Sequence, residues 1–117
     1  MYKRHFFGKI GEDLAVEYLR SKGYEILERN FLCKQGEIDI IALDKNYLVF
    51  IEIKARTSNK YGLPAEAVTV KKIKHILNTA TYYLYIKKLK NLNTRVDVIE
   101  VYSKNNKYYI NHLKQVI

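Results

Sequence analysis

The stretch Tyr47-Leu48-Val49-Phe50-Ile51-Glu52-Ile53-Lys54-Ala55 constrains this chain more than any other. Its near-continuous apolar run reads as a central strand, and such a strand needs cover on both faces, as in a sheet flanked by helices. Two charges break the run. Period-two alternation puts Glu52 and Lys54 on one face, about 7 Å apart along the strand. Charge buried there is costly unless it is paired or binds a metal. An internal ion pair, or an edge strand with one polar face, would satisfy this pattern, and so would a chemical site.

The preceding strand repeats the anomaly. In Gly36-Glu37-Ile38-Asp39-Ile40-Ile41-Ala42-Leu43, Asp39 interrupts the apolar residues, with Glu37 on its face. The Asp44-Lys45-Asn46 turn predicts an antiparallel pair, and centring it near Lys45 sets Asp39 opposite Ile51 or Glu52. Two carboxylates converging in an apolar layer repel, and a divalent cation relieves that repulsion. Oxygen ligands with no His or Cys nearby favour Mg²⁺ or Mn²⁺ over zinc. Glu12 is a candidate third acid. It lies at the border of the apolar face of a helix near residues 5–22, carried by Ile10, Leu14, Ala15, Tyr18 and Leu19. A solvated first-turn acid would explain it equally.

The remaining elements follow from periodicity and turn chemistry. Gly23 caps the first helix, and Tyr24 to Asn30 reads as the first strand. Thr69 is placed to cap a second helix with Ile73, Ile76, Leu77, Ala80 and Leu84 inward and Lys71, Lys72, Lys74 and His75 outward. Strands follow at Val96 to Tyr102 and Tyr108 to Leu113. The order α-β-β-β-α-β-β predicts an α/β layer fold with a mixed sheet. At 117 residues the chain suits one domain, 1–117. No apolar stretch approaches the length of a membrane span, and the N-terminus has no apolar h-region, so a cytoplasmic chain with no membrane partner is expected. Cys33 alone rules out an internal disulfide framework and a Cys-based zinc site. The net charge of +9 is concentrated: residues 54–95 carry ten basic side chains against Glu66 alone. A phosphate-facing surface has that distribution, and so has a solvated basic face.

Gly36-Glu37-Ile38-Asp39-Ile40-Ile41-Ala42 followed by Phe50-Ile51-Glu52-Ile53-Lys54 resembles the D…ExK active site of restriction-endonuclease-like, PD-(D/E)xK nucleases. With Gly11-Glu12, Gly23-Tyr24, Arg29-Asn30, Glu52-Ile53-Lys54-Ala55-Arg56, Gly62, Pro64, Lys71 and Arg95-Val96-Asp97-Val98, the pattern is similar to the bacterial YraN family, UPF0102. That family is regarded as one of endonucleases, related in fold to archaeal Holliday-junction resolvases. No Pro precedes Asp39, a departure that the resolvase branch tolerates.

The resemblance implies a restriction-endonuclease-like mixed sheet flanked by helices. It implies Asp39 and Glu52 as metal-binding acids, Lys54 as catalytic lysine and Glu12 as the helical acid. The implied activity is Mg²⁺- or Mn²⁺-dependent hydrolysis of phosphodiesters, with branched or structured DNA as the favoured substrate. Arg56, Lys60, Lys71, Lys72 and Lys74 surround this site in sequence and are candidates for the flanking phosphates. Tyr61, Tyr82, Tyr83 and Tyr85 are candidates for base stacking or for packing. Two other readings stand beside the nuclease: a nucleic-acid-binding module with no activity of its own, and a protein-interaction adaptor whose acids are structural. A junction-resolving role would require a homodimer.

Overall fold

The computed structural model describes residues 2–56 and 69–117, with side chains from residue 8 onward. The order is α1 (Tyr2–Ser21), β1 (Glu25–Cys33), β2 (Gly36–Asp44), β3 (Tyr47–Arg56), α2 (Val70–Lys87), β4 (Asn93–Lys104) and β5 (Lys107–Leu113). The five strands form one sheet in chain order. Strands β1, β2 and β3 are an antiparallel meander, β4 runs parallel to β3, and β5 returns antiparallel to β4. The mixed α/β architecture expected from the sequence is the one observed.

The apolar run of β3 explains the layering. Val49 and Ile51 pack with Ala15, Val16 and Leu19 of α1 on one face. Leu48 and Phe50 pack with Ile76, Ala80 and Tyr83 of α2 on the other. Covering both faces removes Leu48, Val49, Phe50 and Ile51 from water, which at about 25 cal/mol per Å² makes this strand the anchor of the fold. Among the described residues no helix is long and apolar enough to cross a membrane.

Thr69 caps α2 as expected, its Oγ1 accepting the Lys72 amide at 3.1 Å. The helix is rotated from its expected orientation. Its buried residues are Ile76, Thr79, Ala80 and Tyr83, whereas Leu77 is exposed. The reason is Tyr83, whose ring sits edge-on to Phe31 and Phe50 while its hydroxyl donates to Glu28 Oε2 at 3.2 Å. A large amphipathic ring with a satisfied polar tip outweighs a leucine at the interface. Thr79 is tolerated inside because its hydroxyl donates to the His75 carbonyl at 2.7 Å. The same Phe31 contact carries β1 three residues beyond the expected Asn30.

Candidate active site where two strands part

The β2–β3 ladder runs from Asp44↔Tyr47 to Ile40↔Ile51 and ends there. Beyond that point β3 stays paired to β4 as far as Arg56, and β2 stays paired to β1 as far as Gly36. The two strands therefore fork. The amide of Ile53, which would otherwise continue the ladder, donates to Asp39 Oδ2 at 2.8 Å. A side-chain carboxylate thus replaces a backbone acceptor and satisfies a part-buried donor. β2 also turns over across Asp39: Ile40 packs on the α1 side, while Ile38, two residues away, packs on the α2 side.

Glu52 is next in line on β3 and is 6% exposed. Its Oε1 lies 4.0 Å from Lys54 Nζ and its Oε2 lies 3.5 Å from Lys72 Nζ, which reaches in from the first turn of α2. Burial raises the Glu52 carboxyl above its ordinary pKa, and the charge of Asp39 raises it further against the pull of Lys72 and Lys54. Asp39 is raised for the same first reason, with Glu37 and Glu12 adding to it and the Ile53 amide and Lys72 opposing. Two carboxylates are thus held together at a cost to their charged forms. Such opposed carboxylates occur at functional sites and also in structural ion-pair networks.

Glu12, Asp39 and Ile53 line one cleft of about 400 Å³, together with Gly8, Lys9, Asn30 and Ala55. The approach of α1 that puts Glu12 there depends on Gly11, where a Cβ would lie 3.1 Å from the Ala55 Cβ. Glu12 Oε1 accepts from Arg29 Nε at 2.8 Å and from Asn30 Nδ2 at 3.0 Å. Arg29 also donates to Asp13 at 2.6 Å, so its guanidinium bridges two successive helix acids. Asn30 holds a left-handed backbone, φ 54°, inside a strand, a conformation that Asn adopts more readily than most residues. Gly36 opens β2 at φ 147°, and a Cβ there would meet Thr79 Oγ1 at 3.0 Å, so only glycine lets β2 start this close to α2.

The expected phosphate-binding residues separate into three groups. Arg56 Nε is 3.1 Å from Glu100 Oε2, an ionic contact outside hydrogen-bond alignment, and Lys72 faces Glu52, so both serve buried carboxylates. Lys71 and Lys74 are exposed on α2. Lys60 lies outside the described residues, as do Tyr61, Gly62 and Pro64. Sequence reasoning missed Glu100, which is 1% exposed and registers with Lys54 across the β3–β4 pair. Its signal was the same as that of Glu52, a charge interrupting apolar alternation.

The model of the Uncharacterised protein family UPF0102 matches residues 11–101. The chain belongs to the UPF0102 family. A UPF0102 protein of Clostridium perfringens is 51% identical over 109 residues, spanning 92% of this chain and 89% of that one. Another, from Caldicellulosiruptor saccharolyticus, is 49% identical over 116 residues and spans 97% and 98%. A third, from Caldanaerobacter subterraneus subsp. tengcongensis, is 46% identical over 110 residues. The UPF0102 match encloses Glu12, Asp39, Glu52 and Lys54. Membership by itself assigns no reaction.

Proposed function

We propose that this UPF0102 protein is a metal-dependent endonuclease that hydrolyses phosphodiester bonds in DNA, with branched or structured DNA favoured. The observation that carries the reading is the fork itself. Asp39 is seated in the gap between two strands, next to a buried Glu52 that neighbours Lys54, and it shares with Glu12 a cleft that neither Glu52 nor Lys54 lines.

The donor set suits a hard divalent cation. Among the described residues no three His, Cys, Asp or Glu side chains form a ready-made cage. Mg²⁺ is commonly held without one, by one or two carboxylates with water and substrate phosphate completing its shell. The two raised carboxyls are what such an ion would relieve. Asp39, Glu52 and the Ile53 carbonyl would hold Mg²⁺ or Mn²⁺. When bound, the ion would polarise the scissile phosphate and acidify a water.

The chain's own groups supply the rest. Asp39, fixed by the Ile53 amide, cannot swing out of the fork without leaving a part-buried donor unsatisfied. Lys54 is half-buried at the edge of the pair and would orient or deprotonate the attacking water and offset charge growing on the phosphate. Glu12, its Oε1 engaged by Arg29 and Asn30, would act on the metal shell through water. Lys54→Ala is expected to keep the thermal stabilisation that Mn²⁺ confers while losing cleavage by about a hundredfold or more. Unchanged cleavage by that variant would remove Lys54 from the mechanism.

A further inference from the structure

The outer face of α2 has chemistry that the fork does not use. The helix carries no acidic residue. Of the three tyrosines that follow Thr81 on the helix, Tyr83 is in the core, whereas Tyr82 is 38% and Tyr85 79% exposed. Leu32, in β1 just before the turn to β2, is 72% exposed and Ile86 40%. These side chains are contiguous. One groove lies between the β1–β2 turn and α2, against Leu32, Lys34, Tyr82 and Ile86. A second, of about 690 Å³, continues past the helix end along Tyr85, Ile86, Lys88, Leu89 and Lys90. Its volume is that of a ligand-sized cleft. Among the described residues no carboxylate lines either groove.

Charge decides what such a face accepts. A second copy docking through a two-fold axis would bring the rim of Lys34, Lys88 and Lys90 against itself, which repels. An anionic partner is attracted, and exposed flat rings beside ammonium groups suit one whose own flat groups are free to stack. Paired bases in a duplex present only their edges, whereas unpaired bases present their faces.

We propose that this face binds single-stranded nucleic acid, with unpaired bases on Tyr85 and Tyr82 and backbone phosphates on Lys34, Lys88 and Lys90. The other end of the same helix reaches the fork through Lys72. From Lys72 to Tyr85 is about 20 Å of helix, the length of roughly six stacked nucleotides. Resting on the endonuclease reading, this adds that the substrate carries a single-stranded tract alongside its point of cleavage.

The test is fluorescence anisotropy in EDTA, with a labelled 20-nucleotide oligo-dT and a blunt 20-base-pair duplex, on wild type, Tyr85→Ala, a Lys88→Gln/Lys90→Gln double variant and Asp39→Ala. Tyr85 is exposed, so its loss leaves folding intact. Expected are tighter binding of the single strand than of the duplex and about a tenfold loss on Tyr85→Ala for the single strand alone. The double variant should lower the salt slope by about 1.4, with no loss in Asp39→Ala. Tyr85-dependent binding in EDTA, with no cleavage by wild type in a parallel Mg²⁺ or Mn²⁺ reaction, would support this face while sinking the endonuclease. The proposal is overturned by single-strand affinity unchanged within twofold in Tyr85→Ala, or by an equal loss for duplex. Polyglutamate bound as tightly as oligo-dT, or a wild-type oligomer that Tyr85→Ala dissociates, would overturn it as well.

Discussion

Asp97→Ala is expected to destabilise the protein by about 3–5 kcal/mol, a large share of the 5–15 kcal/mol that holds a domain of this size. Asp97 is fully buried, and everything that makes its charge tolerable is a named contact. Arg95 Nε lies 3.0 Å away, His112 Nε2 2.7 Å and the Gln115 amide 2.9 Å. Arg95 itself donates to Tyr24 at 2.6 Å and to Asp44 at 3.1 Å, and its guanidinium lies over the rings of Tyr24 and Tyr47. An ionised Asp97 makes His112 Nε2 the donor, and the other ring nitrogen, Nδ1, is hydrogen-bonded to the Tyr18 hydroxyl at 2.9 Å. The network thus ties β4 to α1, β2, β5 and the C-terminal tail. Removing the central acid strands a buried guanidinium and an imidazole together.

The pH dependence follows from the same contacts. Burial pushes the Asp97 carboxyl up, but the hydrogen bonds from His112, Gln115 and Arg95 outweigh it and hold the group below its ordinary value. Its stabilisation is therefore present above the unfolded carboxylate pKa and is lost as pH falls through the lowered one. Urea midpoints of wild type and Asp97→Ala should differ most near neutrality and converge under strong acid. Arg95→Met combined with Asp97→Ala should cost less than the sum of the single changes, because each single change leaves the other charge unpaired. A cost below about 1 kcal/mol for Asp97→Ala would show that the network contributes little.

Glu52→Gln is expected to move stability and activity in opposite directions. Its carboxyl is raised in the folded state, so the native protein takes up this proton more readily than the unfolded chain does, and stability is lost as pH rises through the raised value. Gln removes that cost. Without metal, the variant should be about 1 kcal/mol more stable than wild type near neutral pH, or about 4 °C in Tm. The gain should shrink as pH falls through the raised pKa, where Glu52 is itself protonated. With Mg²⁺ or Mn²⁺ the order should reverse, since only wild type gains from binding the ion. Cleavage should fall by at least about a hundredfold. A variant less stable than wild type without metal would mean that the Glu52 contacts to Lys72 and Lys54 outweigh its burial.

Much of this arrangement was legible in the chain because it rests on local rules. Apolar periodicity locates both helices, and Thr69 marks where α2 starts. The short turn at Lys45 sets Asp39 beside Glu52, since an antiparallel register depends only on where the turn is centred. The border position of Glu12 already pointed it at the sheet edge. What escaped depends on contacts between distant residues. The Tyr18–His112 hydrogen bond spans 94 residues and Arg95–Tyr24 spans 71. No local pattern in Arg95-Val96-Asp97-Val98 announces those partners. Tyr83 and Tyr85 are two residues apart on one helix, yet one is core and the other is surface. Helix geometry puts the two on opposite faces, and which face turns inward is set by where Phe31, Phe50 and Glu28 lie. The turnover of β2 at Asp39 is likewise invisible to strict alternation, because the ladder that enforces alternation ends there.

The central claim is tested most directly by cleavage of single-stranded, duplex, flapped and four-way-junction DNA in Mg²⁺ and in Mn²⁺, with wild type, Asp39→Ala and Glu52→Ala purified in parallel. The fork predicts metal-dependent cleavage by wild type that both variants lose, with substrates carrying unpaired strands cut in preference to plain duplex. Cleavage that survives in both variants, or none by any of the three proteins, would contradict it.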